Sequence, residues 1–82
     1  MVEALVLMKI IGGTGETLGW SMTIKKQILE IPGVVEVFGV FGGYDMVARV
    51  QAKTLDELTA TVTDKLRRNP GVAATQTLII MF

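Results

Sequence analysis

The tetrapeptide Ile31-Pro32-Gly33-Val34 has a near copy in Asn69-Pro70-Gly71-Val72, and no other feature of the sequence limits the fold as strongly. Each copy follows a stretch with helical spacing and precedes an apolar run. Proline disfavours the α conformation in the residue before it and cannot donate to a helical ladder, so each Pro-Gly pair ends a helix. A helix that stops where a strand begins, twice over, describes a doubled β-α-β unit.

The remaining elements fit that frame. Residues 4–11 (ALVLMKII) predict a first strand, and Trp20, Ile24, Ile28 and Ile31 set the stripe of a helix over about 17–31. Residues 34–41 predict a second strand, Gly42-Gly43 a tight hairpin turn that uses glycine's positive φ angles, and residues 44–52 a third strand. Thr54-Leu55-Asp56-Glu57 has the form of a capping box, and Leu55, Leu58, Val62 and Leu66 give an apolar stripe for a helix reaching about Asn69. Acids in its first turn and Arg67-Arg68 in its last suit the helix dipole. Residues 74–82 (ATQTLIIMF) predict the last strand. The order βαββαβ, with right-handed crossovers, gives an α+β fold of the ferredoxin-like kind: a four-stranded antiparallel sheet with both helices on one face.

Such a fold covers one side of its sheet, yet the strands are apolar on both. Leu78, Ile80 and Phe82 alternate with Ile79 and Met81, and Ala4, Val6 and Met8 alternate with Leu5 and Leu7. Half of the 82 residues are hydrophobic and the mean hydropathy is +0.51, high for a small chain that must present polar groups to water. The simplest cover for the second face is the same sheet of another copy, packed as in a dimeric α/β-barrel.

Eight basic and eight acidic residues balance, so no net field draws nucleic acid or anionic lipid. The chain contains neither cysteine nor histidine, which removes disulfides, thiolate metal sites and the commonest general base. The apolar run at 2–11 carries Glu3 and Lys9 and lacks the flanks of a signal peptide, and no stretch is long enough to span a membrane. A cytoplasmic protein is expected.

The loop Gly12-Gly13-Thr14-Gly15-Glu16 lies between a strand and a helix, as a phosphate cradle would, but no Lys-Ser/Thr pair follows Gly19. The third strand, Tyr44-Asp45-Met46-Val47-Ala48-Arg49-Val50, lacks the aromatic platform of RNA-binding modules of the same topology. An acylphosphatase-like enzyme would need an arginine in the first loop, which has none, and the hydroxyls of Thr14, Thr17 and Ser21 have no base to activate them. Lys25-Lys26 and Arg67-Arg68 read as solvated helix faces, and Trp20 as a core residue. The hairpin offers more. Backbone amides near Gly42 and Gly43 can donate to a carboxylate and Asp45 can pair with an ammonium group, while Thr75 and Thr77 bring hydroxyls to one side of the last strand. The same residues also describe a plain hairpin with a solvated Asp45.

Taken in order, Ile31-Pro32-Gly33-Val34, the Gly43-Tyr44-Asp45 step, Thr54-Leu55-Asp56-Glu57-Leu58, and Asn69-Pro70-Gly71-Val72 leading to Thr75-Gln76-Thr77 resemble the ligand-binding RAM domain of Lrp/AsnC-type transcription regulators. The resemblance covers residues 1–82 as a single domain. It implies a homodimer with opposed sheets, extended in many members to an octamer built as a tetramer of dimers. It also implies an amino acid or similar small effector between dimers, with no catalysis and no cofactor. Carried over by position, the effector-facing residues are Phe41, Gly42, Gly43, Tyr44, Asp45, Thr75 and Thr77. Full-length members place a helix-turn-helix ahead of this domain; a chain that starts at the first strand resembles the stand-alone form, which acts on itself or on full-length regulators without touching DNA. The loop at 12–19 is longer and richer in glycine than the family's short turn, which bears on contacts between dimers. Two other classes share the topology: an ACT-like amino-acid-sensing module of a metabolic enzyme, and a small dimeric α/β-barrel enzyme.

Overall fold

The computed structural model describes residues 1–11 and 17–82. The glycine-rich loop at 12–19, expected to bear on contacts between dimers, lies for the most part outside the described residues. The elements are β1 (Val2–Ile10), α1 (Thr17–Leu29), β2 (Val34–Gly39), β3 (Met46–Ala52), α2 (Leu55–Thr61) and β4 (Val72–Ile79), with α2 running on into a π-helical turn over Val62–Leu66. The sheet order is β2-β3-β1-β4 and every neighbouring pair is antiparallel. This is the βαββαβ, ferredoxin-like arrangement that the repeat predicts.

Pairing register fixes which side chains share a face. Ala4, Val6 and Met8 stand opposite Val50, Ala48 and Met46, and all six are buried. Ile24 and Ile28 of α1, Leu58 of α2, and Val62 and Leu66 of the π turn close over that face, and all five are buried. Burying an aliphatic side chain of this size stabilises the fold by about 1.5–3 kcal/mol each. The intervening residues Leu5, Leu7 and Val47 turn to the other side, where each is only partly covered, and Phe38 and Leu78 beside them are exposed. One face is a core, and the other is an apolar surface in the single chain.

The tetrapeptide repeat has a structural counterpart. Val34 pairs with Val50 and Glu36 with Arg49, which leaves Val35 as an extra residue; Ile10 pairs with Val72 and Lys9 with Ala74, which leaves Ala73 as one. The carbonyls of Gly33 and Gly71 accept from the amides of Gln51 (2.8 Å) and Ile11 (2.9 Å) in the same way. The two glycines serve different needs. Gly33 has φ 98°, whereas a Cβ on Gly71 would collide with Cδ1 of Ile24.

Several boundaries depart from expectation. The helix over 17–31 ends at Leu29, and the last strand starts at Val72 and stops at Ile79 instead of Phe82. The second helix is capped as predicted, with Thr54 Oγ1 accepting from the Glu57 amide at 3.2 Å, but Glu57 Oε2 reaches the amide of Lys53 instead of that of Thr54. Its stripe loses Leu55, which is 53% exposed. Trp20 is not a core residue: it is 37% exposed near the start of α1, and its indole N–H donates to the carbonyl of Ile11. That hydrogen bond requires the ring to lie near the surface, where β1 ends.

The largest departure is the hairpin. β2 ends at Gly39 and β3 begins at Met46, so the connection spans residues 40–45. Its neck is closed by the Val40 amide donating to the Asp45 carbonyl at 3.0 Å. Neither Gly42 nor Gly43 adopts positive φ, and a Cβ at either would meet nothing within 4 Å. The shape of this loop comes from contacts with β1 and β4, not from glycine.

Candidate functional site

Three side chains pin the loop at 40–45 to the end of the sheet. The Asp45 amide donates to the Met8 carbonyl at 2.9 Å, and Asp45 Oδ2 accepts from the Ile10 amide at 2.9 Å, so a carboxylate takes the place of the next backbone carbonyl in the ladder. Lys9 Nζ donates to the Gly43 carbonyl at 3.2 Å. The Tyr44 hydroxyl donates to Gln76 Oε1 at 2.8 Å and so reaches over β1 to β4 on the face away from the helices. Phe41 at the tip is fully exposed. Local spacing puts Asp45 beside the turn; its bond to Ile10, between residues far apart in the chain, appears only in the fold.

Thr75 and Thr77 do lie on one side of β4, and it is the helix side. They pair with Met8 and Val6, both core residues, and are partly exposed. β1 separates β4 from β3, so the backbones of Asp45 and Thr75 stand two strand spacings apart, about 10 Å. Within one chain the seven proposed effector residues therefore form two groups. The loop group, Phe41 to Asp45, is at one end of the sheet; the threonines border a groove between β4 and α2.

That groove has a volume of about 390 Å³. Among the described residues its apolar part comes from Leu55, Leu58, Val62 and Ile79, its hydroxyls from Thr59, Thr63, Thr75 and Thr77, and its one charge from Arg67. It exists because α2 lies over β1 and β3 and leaves the inner side of β4 open, while α1 packs directly on β2. Arg67, expected on a solvated helix face, is exposed and also borders this groove. Its spacing from Val62 and Thr63, four to five residues on a helix that widens into a π turn, is the signal that places it on the same wall.

On the uncovered face Arg49, Glu3 and Glu36 form a paired triad. Arg49 Nε donates to Glu36 Oε1 at 2.8 Å and Arg49 Nη1 to Glu3 Oε1 at 2.9 Å, all among Leu5, Leu7, Val47 and Leu78. The hydrogen bond to Glu36, then that to Glu3, holds the guanidinium above its ordinary pKa, against a smaller opposing effect of burial. The alternation Val47-Ala48-Arg49-Val50 puts Arg49 opposite the core side, but its partners come from β1 and β2 and needed the register.

Comparison with known proteins places the whole arrangement. The family model of the Lrp/AsnC ligand binding domain matches residues 4–81. An uncharacterized HTH-type transcriptional regulator of Pyrococcus horikoshii is 41% identical over 56 residues, which is 68% of this chain and 37% of that protein. The homocitrate synthase of Sulfurisphaera tokodaii is 30% identical over 80 residues, 98% of this chain and 16% of the synthase. The chain thus spans little more than a third of the curated regulator it matches. A solved protein from Thermus thermophilus is 34% identical with a TM-score of 0.85, covering all of this chain and 95% of that one. A transcriptional regulator from Neisseria meningitidis, solved as a complex with L-Met, has the same fold at 16% identity, with a TM-score of 0.77 over 99% of this chain and 50% of its own. The match over nearly the full length, on a sheet and helices in the expected order, shows that this chain belongs to the Lrp/AsnC ligand-binding-domain family.

Proposed function

We propose that this domain binds an amino acid or a similar small molecule where copies of the domain meet, and that binding biases its assembly with itself or with full-length regulators of the same family. The observation that carries the reading is the uncovered apolar face: Leu5, Leu7, Phe38, Val47 and Leu78 form a continuous surface around a paired arginine. A second copy packed on that face gives a dimer with opposed sheets. Asp45 and the threonines are apart in one chain, so a pocket holding both needs the loop of one chain to meet β4 of another. In such a pocket Asp45 pairs with the ammonium group, the amides near Gly42 and Gly43 face the carboxylate, and Phe41 and Tyr44 pack on the side chain. Ligand that binds only the assembled state stabilises it by mass action. An effect on transcription then follows from the change in assembly, and no catalytic step is assigned.

A second reading has one observation behind it. The match inside a homocitrate synthase shows a stretch like this domain carried by an enzyme, which supports a regulatory module for a metabolic enzyme as the alternative.

The test is calorimetric titration of the protein with each of the common amino acids, L-Met included, alongside Asp45→Asn. Binding of at least one, weakened about tenfold or more by loss of the charge that pairs with ammonium, is expected. No heat and no thermal shift with any amino acid contradicts the reading.

A further inference from the structure

The repeat that builds the fold also exposes where the two halves differ. Val37 of β2 and Thr75 of β4 stand at equivalent places after the two Pro-Gly pairs, and so do Gly39 and Thr77. Val37 is buried under α1, only 5% exposed. Thr75 and Thr77 face the same helix layer but are partly covered, because α2 lies over β1 and β3. A strand that served the core alone would carry aliphatic residues here, as β2 does with Val37. Hydroxyls on a half-open inner face instead line the groove to α2.

The chemistry of that groove is one-sided. Among the described residues it has a cation, Arg67, which makes no ion pair, and threonines on both walls, but no carboxylate. A guanidinium presents a planar fork that matches a carboxylate, and a threonine hydroxyl can either donate or accept. The apolar stretch from Val62 to Ile79 suits a short aliphatic chain, and about 390 Å³ lies within the range of small-ligand sites. Among the described residues an ammonium group would find no charge to pair with.

We infer that the groove between α2 and β4 binds a small aliphatic carboxylate that needs no amino group, such as a branched 2-oxo acid, with Arg67 on the carboxylate and Thr75 and Thr77 on the neighbouring oxygen. The inference goes beyond the proposed effector site, since it requires neither Asp45 nor a second chain. Recognition of the two ligand classes is then divided between two places: the loop at 40–45 takes the amino acid, distinguished by its ammonium group, and the groove takes the acid that lacks one.

The experiment titrates the ¹⁵N-labelled protein with 4-methyl-2-oxopentanoate, with L-leucine, and with 3-methylbutylamine, following amide shifts and fitting the affinity. The oxo acid is expected to move the amides of Thr63, Thr75 and Thr77, and the amine to leave them unmoved. Arg67→Gln should weaken the oxo acid about tenfold or more, while Arg68→Gln, which removes the same charge next door, should leave it unchanged. Equal losses in the two variants, or no shifts at β4 with the oxo acid, overturn the inference. If L-leucine binds and the oxo acid does not, the inference falls and the proposed amino-acid site stands. If the oxo acid binds at β4 and no amino acid binds anywhere, the reverse holds.

Discussion

The carboxylate of Asp45 receives the amide of Ile10 at 2.9 Å, in the position where a backbone carbonyl would continue the ladder between β1 and β3. One side chain thereby ends the sheet and holds the loop that the proposed effector site uses. Asp45→Ala removes both a hydrogen bond and a charge, and is expected to lower stability by about 1 kcal/mol. Asp45→Asn keeps an acceptor for Ile10 and should stay within about 0.5 kcal/mol of the parent, while still weakening any ligand that relies on the charge. Urea unfolding and titration on the two variants separate the roles; equal stability loss in both would show that the charge, not the acceptor, closes the ladder.

Gly33 and Gly71 occupy equivalent places in the repeat and should fail for different reasons. At Gly33 the backbone itself, at φ 98°, resists a side chain, and a Cβ would also lie 2.9 Å from the Gln51 carbonyl oxygen. At Gly71 the obstacle is Cδ1 of the buried Ile24. Each alanine variant is expected to cost about 1–3 kcal/mol. Ile24→Val, which removes Cδ1, should recover part of the loss in Gly71→Ala and none in Gly33→Ala. A double-mutant cycle by chemical denaturation reads the difference, and equal coupling at the two sites would refute it.

The cap on α2 is simpler. Thr54→Ala removes the acceptor for the Glu57 amide and should lower stability by about 1 kcal/mol, with Thr54→Ser close to neutral. Both are measured by thermal or urea unfolding.

Arg49 holds Glu3 and Glu36 on the face proposed to meet a second copy. Its pKa is raised in the folded chain, so its pairing is complete below the ordinary guanidinium value and is lost only as pH rises through the higher folded value. Alkali within any practical range should therefore leave the triad intact. Arg49→Ala leaves two carboxylates without their cation on that face, and the dissociation constant of the dimer is expected to rise about tenfold or more, whereas the single-chain fold, where the pairs are solvent-screened, changes little. Sedimentation equilibrium on the variant reads this directly.

How much of this is legible in the sequence depends on the range of the interactions involved. The Pro-Gly repeat, the helical spacing of Ile24 and Ile28, and the cap at Thr54 are local, and they specify the element order and the core of both helices. Val34 and Val37 both serve the core although strict alternation would put them on opposite faces, and that broken alternation is the one trace the bulge at Val35 leaves in sequence. In the loop at 40–45, the strand formers Val40, Phe41 and Tyr44 flank a Gly42-Gly43 turn pair, and locally they spell a tight turn. Its actual form depends on Lys9, Ile10 and Gln76, which lie far away along the chain. For Thr75 and Thr77 the spacing shows that they share a side, but only pairing with Met8 and Val6 shows which side.

Light scattering after size exclusion, with and without the amino acid that titration selects, tests most directly whether a second copy covers the apolar face. The predicted result is a mass of at least twice 8.9 kDa for the parent, a shift in mass or in its concentration dependence when the amino acid is present, and a return towards the single-chain mass in Leu7→Asp. A parent that runs at 8.9 kDa at tens of micromolar, whatever is added, contradicts it.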